Sequence, residues 1–227
     1  MNEEIKEQLR TDPFIKLWTD NYNTNLVSKN LTSERTKPLV YLAKMRPQTK
    51  VPIVLVVAGP SLDKNIQYLK EYQDRCIIIC ADIVLFKLLE NNIKPHFVVN
   101  IDPHESIGRF WKHLDTSDLY LVCPTTTNPA TFSGWKGRFF LFNQVDVEKS
   151  PKGEALKKII QPTFNWGNIF NRFFVGATML QFSTIFDPSI VILVGYDFGF
   201  SDDRAYCDGV LDLKLYYTEA PVGSEVH

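Results

Sequence analysis

From residue 53 onward, short apolar runs alternate with amphipathic segments. The apolar runs predict strands at 53–58, 76–81, 97–101, 119–123, 138–142 and 190–195. The intervening segments predict helices, or helix mixed with loop, at 62–73, 83–92, 105–113, 153–160 and 168–186. Strands that alternate with helices indicate a three-layer α/β domain, in which a mainly parallel sheet lies between two layers of helices.

The two ends of the chain differ from this alternating part. Residues 1–48 are polar and aromatic with a mostly helical pattern, and they predict an N-terminal helical extension. The α/β domain is expected over residues 49–215. Residues 216–227 contain no closing strand or helix pattern, so we interpret them as a tail that is disordered or that stops short of the natural end.

Polar residues follow most of the predicted strands. Because the carboxyl ends of parallel strands lie along one edge, where open α/β sheets bind ligands, these residues are expected to gather there. The candidate binding residues on this edge are Gly59, Pro60, Ser61, Asp82, Asn100, Asp102, Thr125, Thr126, Tyr196 and Asp197. Strands that end in loops account for some of this polarity, but three carboxylates and a glycine turn are more than such loops require.

The turn Gly59-Pro60-Ser61 has two interpretations. Gly59 has no side chain, so a ligand can approach the backbone there. Ser61 is placed to cap the next helix, whose first N–H groups and dipole would attract a phosphate. An ordinary capped strand-to-helix turn has the same sequence, and the turn alone does not separate the two interpretations.

Four further positions have both structural and chemical interpretations. Asp82 either caps the helix that follows or binds a ligand. Asp102 fits an N-cap followed by Pro103, and it fits a ligand contact equally well. His104 stands beside it on the proposed edge, so His104 and Asp102 are the candidate catalytic residues, with His104 as an acid or base. Gly176 allows a predicted helix to approach the sheet or a ligand closely.

Composition narrows the class of protein. The 227 residues are 44% hydrophobic and 22% charged, as in ordinary soluble domains, and the net charge of -1 implies no general attraction to nucleic acid or anionic membranes.

The N-terminus does not resemble a secretory signal, and no apolar run is long enough to span a membrane. The four cysteines are scattered, which favours a cytoplasmic location. No metal ligands are assigned, because zinc spacing and a Walker pattern are both lacking.

Several motifs occur in a fixed order along the chain: Val57-Ala-Gly-Pro-Ser-Leu-Asp63, Ala81-Asp-Ile-Val-Leu85, the segment 89–103, Pro124-Thr-Thr-Thr-Asn-Pro129 and Ile192-Leu-Val-Gly-Tyr-Asp-Phe-Gly-Phe200. With these motifs the chain resembles the MptE-like family, which includes the central domain of the Maf flagellin glycosyltransferases. The resemblance runs from about residue 50 to residue 210 and leaves the first 48 residues outside. It implies a Rossmann-like domain related to bacterial sialyltransferases, which use a CMP-activated sugar.

The leading hypothesis from this resemblance is a glycosyltransferase that uses a CMP-linked nonulosonic acid and a glycan or protein acceptor. Under this hypothesis the phosphate and ribose contact Gly59, Ser61 and Gly176. The nucleotide and sugar are lined by Asp82, Asn100, Asp102 and Thr126, and the site is oriented by Asp197. Val175 departs from the sialyltransferase pattern, in which a serine contacts the nucleotide.

Two alternatives remain open. The same family includes pterin diphosphokinases, which use ATP and Mg²⁺. In those enzymes the third strand tends to end in a cluster of carboxylates, whereas Asn100-Ile-Asp-Pro103 supplies one, and this difference favours sugar transfer. The other alternative is a non-catalytic nucleotide-binding module that recognises a partner. The oligomeric state is not indicated by the sequence.

Overall fold

The computed structural model describes residues 12–145, 165–170, 174–199 and 204–210, together with Glu3 and Glu7. The strands are β1 (Thr36–Pro38), β2 (Ile53–Val56), β3 (Ile77–Ala81), β4 (Phe97–Val99), β5 (Tyr120–Pro124), β6 (Arg138–Val145), β7 (Asn168–Phe170) and β8 (Val191–Val194). The α-helices are α1 (Pro13–Val27), α2 (Leu62–Tyr72), α3 (Leu85–Glu90), α4 (Ala130–Gly134) and α5 (Val175–Ser183). Short 3-10 helices lie at Asn30–Thr32, Leu39–Met45, Gln73–Arg75, Asp82–Val84, Glu105–Phe110 and Thr184–Phe186.

The strands form one sheet in the order β1-β6-β5-β4-β3-β2-β8, and β7 pairs with β6 beyond the end of β1. Neighbouring strands are parallel, so that Val54 of β2 lies opposite Ile78 of β3 and Ile192 of β8. The chain runs outward from β2 to β6 and then returns to place β8 on the other side of β2. This reversal opens a crevice at the carboxyl ends of β2 and β8. The predicted three-layer, Rossmann-like fold is confirmed.

Apolar side chains fill the space on both faces of the sheet. β2 consists of Ile, Val and Leu and is buried throughout, as expected of a central parallel strand. On one face, α2, α3 and α4 contribute Leu69, Leu85 and Phe132 to the core. On the other face, α5 contributes Met179 and Phe182. Packing on both faces fixes the positions of the strand ends that carry the candidate site. Within the described ranges, no helix combines the length and the apolar character needed to cross a membrane.

Helix α1 packs on the face that carries α2 and reaches the loops after β4 and β5. The Asp12 carboxylate accepts the N–H groups of Phe14 and Ile15, so Asp12 is the N-cap. Trp18 and Tyr22 enter the core.

Two buried asparagines fasten α1 to these loops. Asn21 Nδ2 donates to the carbonyl oxygens of Pro103 and Thr126, at 2.9 and 3.1 Å. Asn25 Nδ2 donates to two carbonyl oxygens of the loop after β5, at 3.2 and 2.9 Å. Each amide satisfies two buried acceptors, so α1 fixes the loops at the carboxyl edge of the sheet.

Some elements differ from those predicted. The described part of the segment 1–48 contains, besides its helices, the short strand β1, which pairs with residues 139–141 of β6. The predicted helix at 168–186 begins later, at α5, because residues 168–170 pair with β6 as strand β7. The segment 105–113, predicted as helix or as helix mixed with loop, contains a 3-10 helix over Glu105–Phe110. Helix α4 was not predicted. The helix expected at 153–160 and the tail at 216–227 lie outside the described residues.

Candidate functional site

A cleft of about 670 Å³ opens at the carboxyl ends of β2, β3, β4 and β8. Its walls come from the loops after these strands, from the start of α5 and from residues 205–206. This is the switch point of the sheet, where α/β folds bind their ligands. The candidate residues that line the cleft are Gly59, Asp82, Asn100, Asp102, Tyr196 and Asp197.

Two glycines allow the ends of β2 and β8 to touch. A Cβ on Gly59 would lie 2.3 Å from the carbonyl oxygen of Gly195, and a Cβ on Gly195 would lie 2.1 Å from that of Val57. Gly195 also has a φ of +74°, which favours glycine. The Gly59 N–H donates to the Gly195 carbonyl at 2.9 Å. Contact between the two strand ends therefore explains both glycines without a ligand.

The N-terminus of α2 holds a carboxylate from the protein itself. The N–H of Ser61 donates to Asp197 Oδ2 at 2.7 Å, and the Ser61 hydroxyl donates to Asp197 Oδ1. Ser61 occupies the N-cap position of α2, as the sequence suggested, but its side chain makes no capping hydrogen bond to the helix. Because helix N-termini favour anions, Asp197 takes the position that the sequence suggested for a phosphate.

Asp82 is a buried carboxylate in the wall of the cleft. The residue is only 8% exposed, and its side chain accepts hydrogen bonds from the Ile83 N–H at 2.9 Å and from Asn100 Nδ2 at 2.7 Å. Burial raises the pKa of Asp82 to about 6, although these two hydrogen bonds lower it, and the charge of Asp102 adds to the rise. The side chain does not cap a helix. A carboxyl group with this pKa can exchange a proton near neutral pH.

Asp102 and His104 form a pair at the rim. Asp102 Oδ1 accepts the His104 N–H at 2.8 Å and lies 2.7 Å from His104 Nδ1. The His104 ring packs edge-on against Phe14 of α1, with the ring centroids 5.8 Å apart. Asp102 lines the cleft, whereas His104 lines a separate groove beside α1. The structure therefore does not bring His104 to the cleft. The N-cap of the following 3-10 helix is His104, so the N-cap interpretation of Asp102 was wrong.

The other candidates do not line the described cleft. Thr125 and Thr126 are buried, and their carbonyl oxygens accept hydrogen bonds from the asparagines of α1. Pro60 is buried. Gly176 is buried, and a Cβ there would lie 2.4 Å from the Phe174 ring. Packing explains these positions.

The sequence did not indicate the aromatic part of the cleft. Phe110, Phe174, Phe198 and Tyr206 also line it. Phe198 had a local signal, because it directly follows the polar strand end at Asp197. The other three come from distant segments, and no local pattern separates them from core aromatics.

The described lining of the cleft contains the carboxylates Asp82, Asp102 and Asp197 and no lysine, arginine or histidine. Bound phosphate would therefore need backbone N–H groups or a divalent cation as its partner in this part of the cleft. Across the described segments, no group of three or more His, Cys, Asp or Glu residues is arranged to hold a metal ion.

Comparison with solved structures finds this fold in a Maf glycosyltransferase from Magnetospirillum magneticum AMB-1. The two chains are 18% identical, and the TM-score is 0.54. The likeness covers 69% of this chain and 24% of that protein, so it extends over about a quarter of the neighbour's length. At this identity it shows the fold alone. A comparison with curated proteins finds no match.

Residues 21–203 match the family described as 6-hydroxymethylpterin diphosphokinase MptE-like. The match begins in α1 and includes all eight strands as well as the cleft residues of the predicted strand ends. Part of the segment 1–48, which the sequence motifs left outside the resemblance, therefore lies inside the family match. Because the match spans most of the chain, the protein belongs to the MptE-like family.

Proposed function

We propose that the protein is a glycosyltransferase that binds a nucleotide-activated acidic sugar, with a CMP-linked nonulosonic acid as donor, in the cleft at the β2–β8 switch point. The observation that carries the proposal is Asp82, a buried carboxylate in the cleft with a pKa of about 6. The shared fold with a protein named as a Maf glycosyltransferase supports it.

In the proposed reaction, an acceptor hydroxyl attacks the anomeric carbon of the sugar, the bond from that carbon to the phosphate oxygen breaks, and CMP leaves. Asp82 accepts the proton of the attacking hydroxyl. With a pKa of about 6, about nine-tenths of Asp82 is ionised at pH 7, so it can act as a base. Asn100 holds the carboxylate in place through its 2.7 Å hydrogen bond.

Charge in the cleft favours this donor over ATP without a bound cation. The three carboxylates of the described lining repel anions, and a CMP-linked nonulosonic acid, with one phosphate group and one sugar carboxylate, carries less negative charge than the triphosphate of ATP.

A second candidate function is the diphosphokinase activity for which the matched family is named. In that reaction the hydroxymethyl group of a pterin attacks the β-phosphorus of ATP, and AMP leaves. Mg²⁺ is held by one or two carboxylates together with substrate phosphates, and Asp82 and Asp102 fit this requirement. The ion would neutralise phosphate charge, and Asp82 would accept the hydroxyl proton only while it is not bound to the ion.

Product analysis separates these functions. The full chain is incubated with a CMP-linked nonulosonic acid and a glycan or protein acceptor, or with ATP, Mg²⁺ and a hydroxymethyl pterin, and released CMP or AMP is measured by chromatography against a control without the protein. CMP release supports the proposal, whereas AMP release with pterin diphosphate supports the second candidate. CMP binding without turnover would favour the non-catalytic interpretation.

A matched pair of variants tests the role of Asp82. Asp82→Asn is expected to lower turnover by about 10²- to 10⁴-fold, the usual contribution of a general base. Asp118→Asn makes the same change at a side chain that is 81% exposed and outside the cleft, so it is expected to retain turnover. Unchanged turnover in Asp82→Asn would contradict the proposed base.

A further inference from the structure

Three aromatic rings pack together on one wall of the cleft. The ring centroids of Phe174 and Phe198 are 5.4 Å apart, and those of Tyr196 lie 5.9 Å from Phe174 and 6.1 Å from Phe198. All three residues line the cleft. Phe198 is 80% exposed, so most of its ring remains open to a ligand. The proposed proton transfer uses none of these rings.

The backbone holds Phe198 in an unfavourable conformation. Its φ is +50°, in the left-handed region that bulky residues rarely adopt. Both preceding residues are fixed: the Tyr196 hydroxyl donates to the Gly176 carbonyl at 3.1 Å, and the Asp197 carboxylate accepts the Ser61 N–H at 2.7 Å. Strained conformations of this kind persist where the surroundings impose them, and they cluster at ligand-binding sites.

Gly176 is part of the same arrangement. A Cβ at this position would lie 2.4 Å from the Phe174 ring and 2.6 Å from the Tyr196 ring. The absence of a side chain therefore lets both rings pack against the start of α5, where each of them also contacts the Phe198 ring.

We propose that Phe198, supported by Phe174 and Tyr196, stacks on a planar heteroaromatic ring of the substrate. This assignment rests on the proposed function, because it requires a nucleotide or pterin to enter the cleft. The exposed Phe198 ring supplies a flat apolar face, and the Asp102 carboxylate in the same cleft accepts hydrogen bonds from amino or N–H groups. An amino-bearing ring, such as cytosine, adenine or a pterin, satisfies both requirements.

The first test compares Phe198→Ala with Phe86→Ala. Phe86 is a phenylalanine of α3 that is 44% exposed and outside the cleft, so it is a matched control. Calorimetric titration of the full chain measures the affinity for CMP, for ATP with Mg²⁺ and for 6-hydroxymethylpterin. Phe198→Ala is expected to weaken the ligand that the wild type binds by about five- to hundredfold, and Phe86→Ala is expected to leave it unchanged. The ligand that loses affinity identifies the stacked ring.

Phe198→Asn separates ligand contact from a structural role. Asparagine tolerates the left-handed backbone better than phenylalanine, so the unliganded variant is expected to keep or raise its Tm while it loses affinity. Wild-type affinity in both Phe198 variants would overturn the stacking proposal, and so would a lowered Tm with unchanged affinity. If the wild type binds none of the three ligands, the proposed function fails and the stacking proposal fails with it.

Discussion

Replacement of Asp82 by asparagine is expected to raise the free energy of unfolding at neutral pH, even though it removes the proposed base. In the folded protein, burial raises the pKa of Asp82 from 3.8 to about 6. The folded state therefore holds the proton more tightly than the unfolded state. Stability is unaffected by this group below pH 3.8, falls between pH 3.8 and about 6, and stays reduced above that range.

The size of the effect follows from the shift. A difference of about two pKa units at about 1.4 kcal/mol per unit corresponds to about 3 kcal/mol of unfolding free energy. Asparagine has nearly the same shape as aspartate, but its one amide oxygen can accept only one of the two hydrogen bonds from Ile83 N–H and Asn100 Nδ2, and its NH2 group faces the other donor. The lost hydrogen bond costs about 1 kcal/mol at every pH. Above pH 6 the removal of a buried negative charge outweighs this cost, so the variant is more stable than wild type there, whereas near pH 4 it has no such gain.

Urea unfolding of wild type and Asp82→Asn, measured from pH 4.5 to pH 8, tests this expectation. The difference in unfolding free energy between the two proteins is expected to grow with pH and to level off above pH 6 to 7. Asp118→Asn serves as the control, because its exposed carboxylate lies outside the cleft. A difference that stays constant with pH, or a variant less stable than wild type at pH 8, would refute the account of Asp82.

Three other substitutions test the packing that positions the cleft, each measured by thermal and urea unfolding. Gly195→Ala is expected to lower the free energy of unfolding by about 3 kcal/mol or more, because the new Cβ would lie 2.1 Å from a carbonyl oxygen. Gly108 has open space around it, so the control Gly108→Ala should change the free energy of unfolding by less than about 1 kcal/mol. Asn25→Ala leaves two buried carbonyl oxygens unpaired and should lower the free energy of unfolding by about 2 kcal/mol. The control Asn23→Ala, at an exposed side chain of the same helix, should lower it little, and equal losses in the two variants would contradict the proposed role of Asn25. Arg35→Lys cannot reproduce the guanidinium bonds to three carbonyl oxygens around α4 and should cost about 1 to 2 kcal/mol; an unchanged Tm would contradict this.

The sheet could be predicted because burial on both faces leaves a pattern in the sequence. Strands β2 to β5 and β8 coincide with continuous apolar runs, and β6 continues beyond its run. Strands β1 and β7 contain three residues each, Thr-Lys-Pro and Asn-Ile-Phe, which are too short to show periodicity. They are strands because they pair with the outer edge of β6, and this pairing is a tertiary contact that local sequence does not record.

The location of the cleft could be predicted, but its hydrogen bonds could not. Asp82, Asn100 and Asp197 meet because the carboxyl ends of parallel strands meet at one edge. The bond from Ser61 to Asp197 joins residues 136 positions apart, and no sequence pattern indicates it. The position of His104 depends on the docking of α1, which the sequence suggested only as an extension.

Glycine amide signals provide the most direct test of the nucleotide site. In a titration of ¹⁵N-labelled protein with CMP, the amides of Gly59, Gly195 and Gly199, which line the cleft, are expected to shift. The amides of Gly134 and Gly137, which lie beside Trp111 and Trp135, are expected to stay in place. If saturating CMP moves none of the three cleft signals, or moves only those of Gly134 and Gly137, the proposed donor site is wrong.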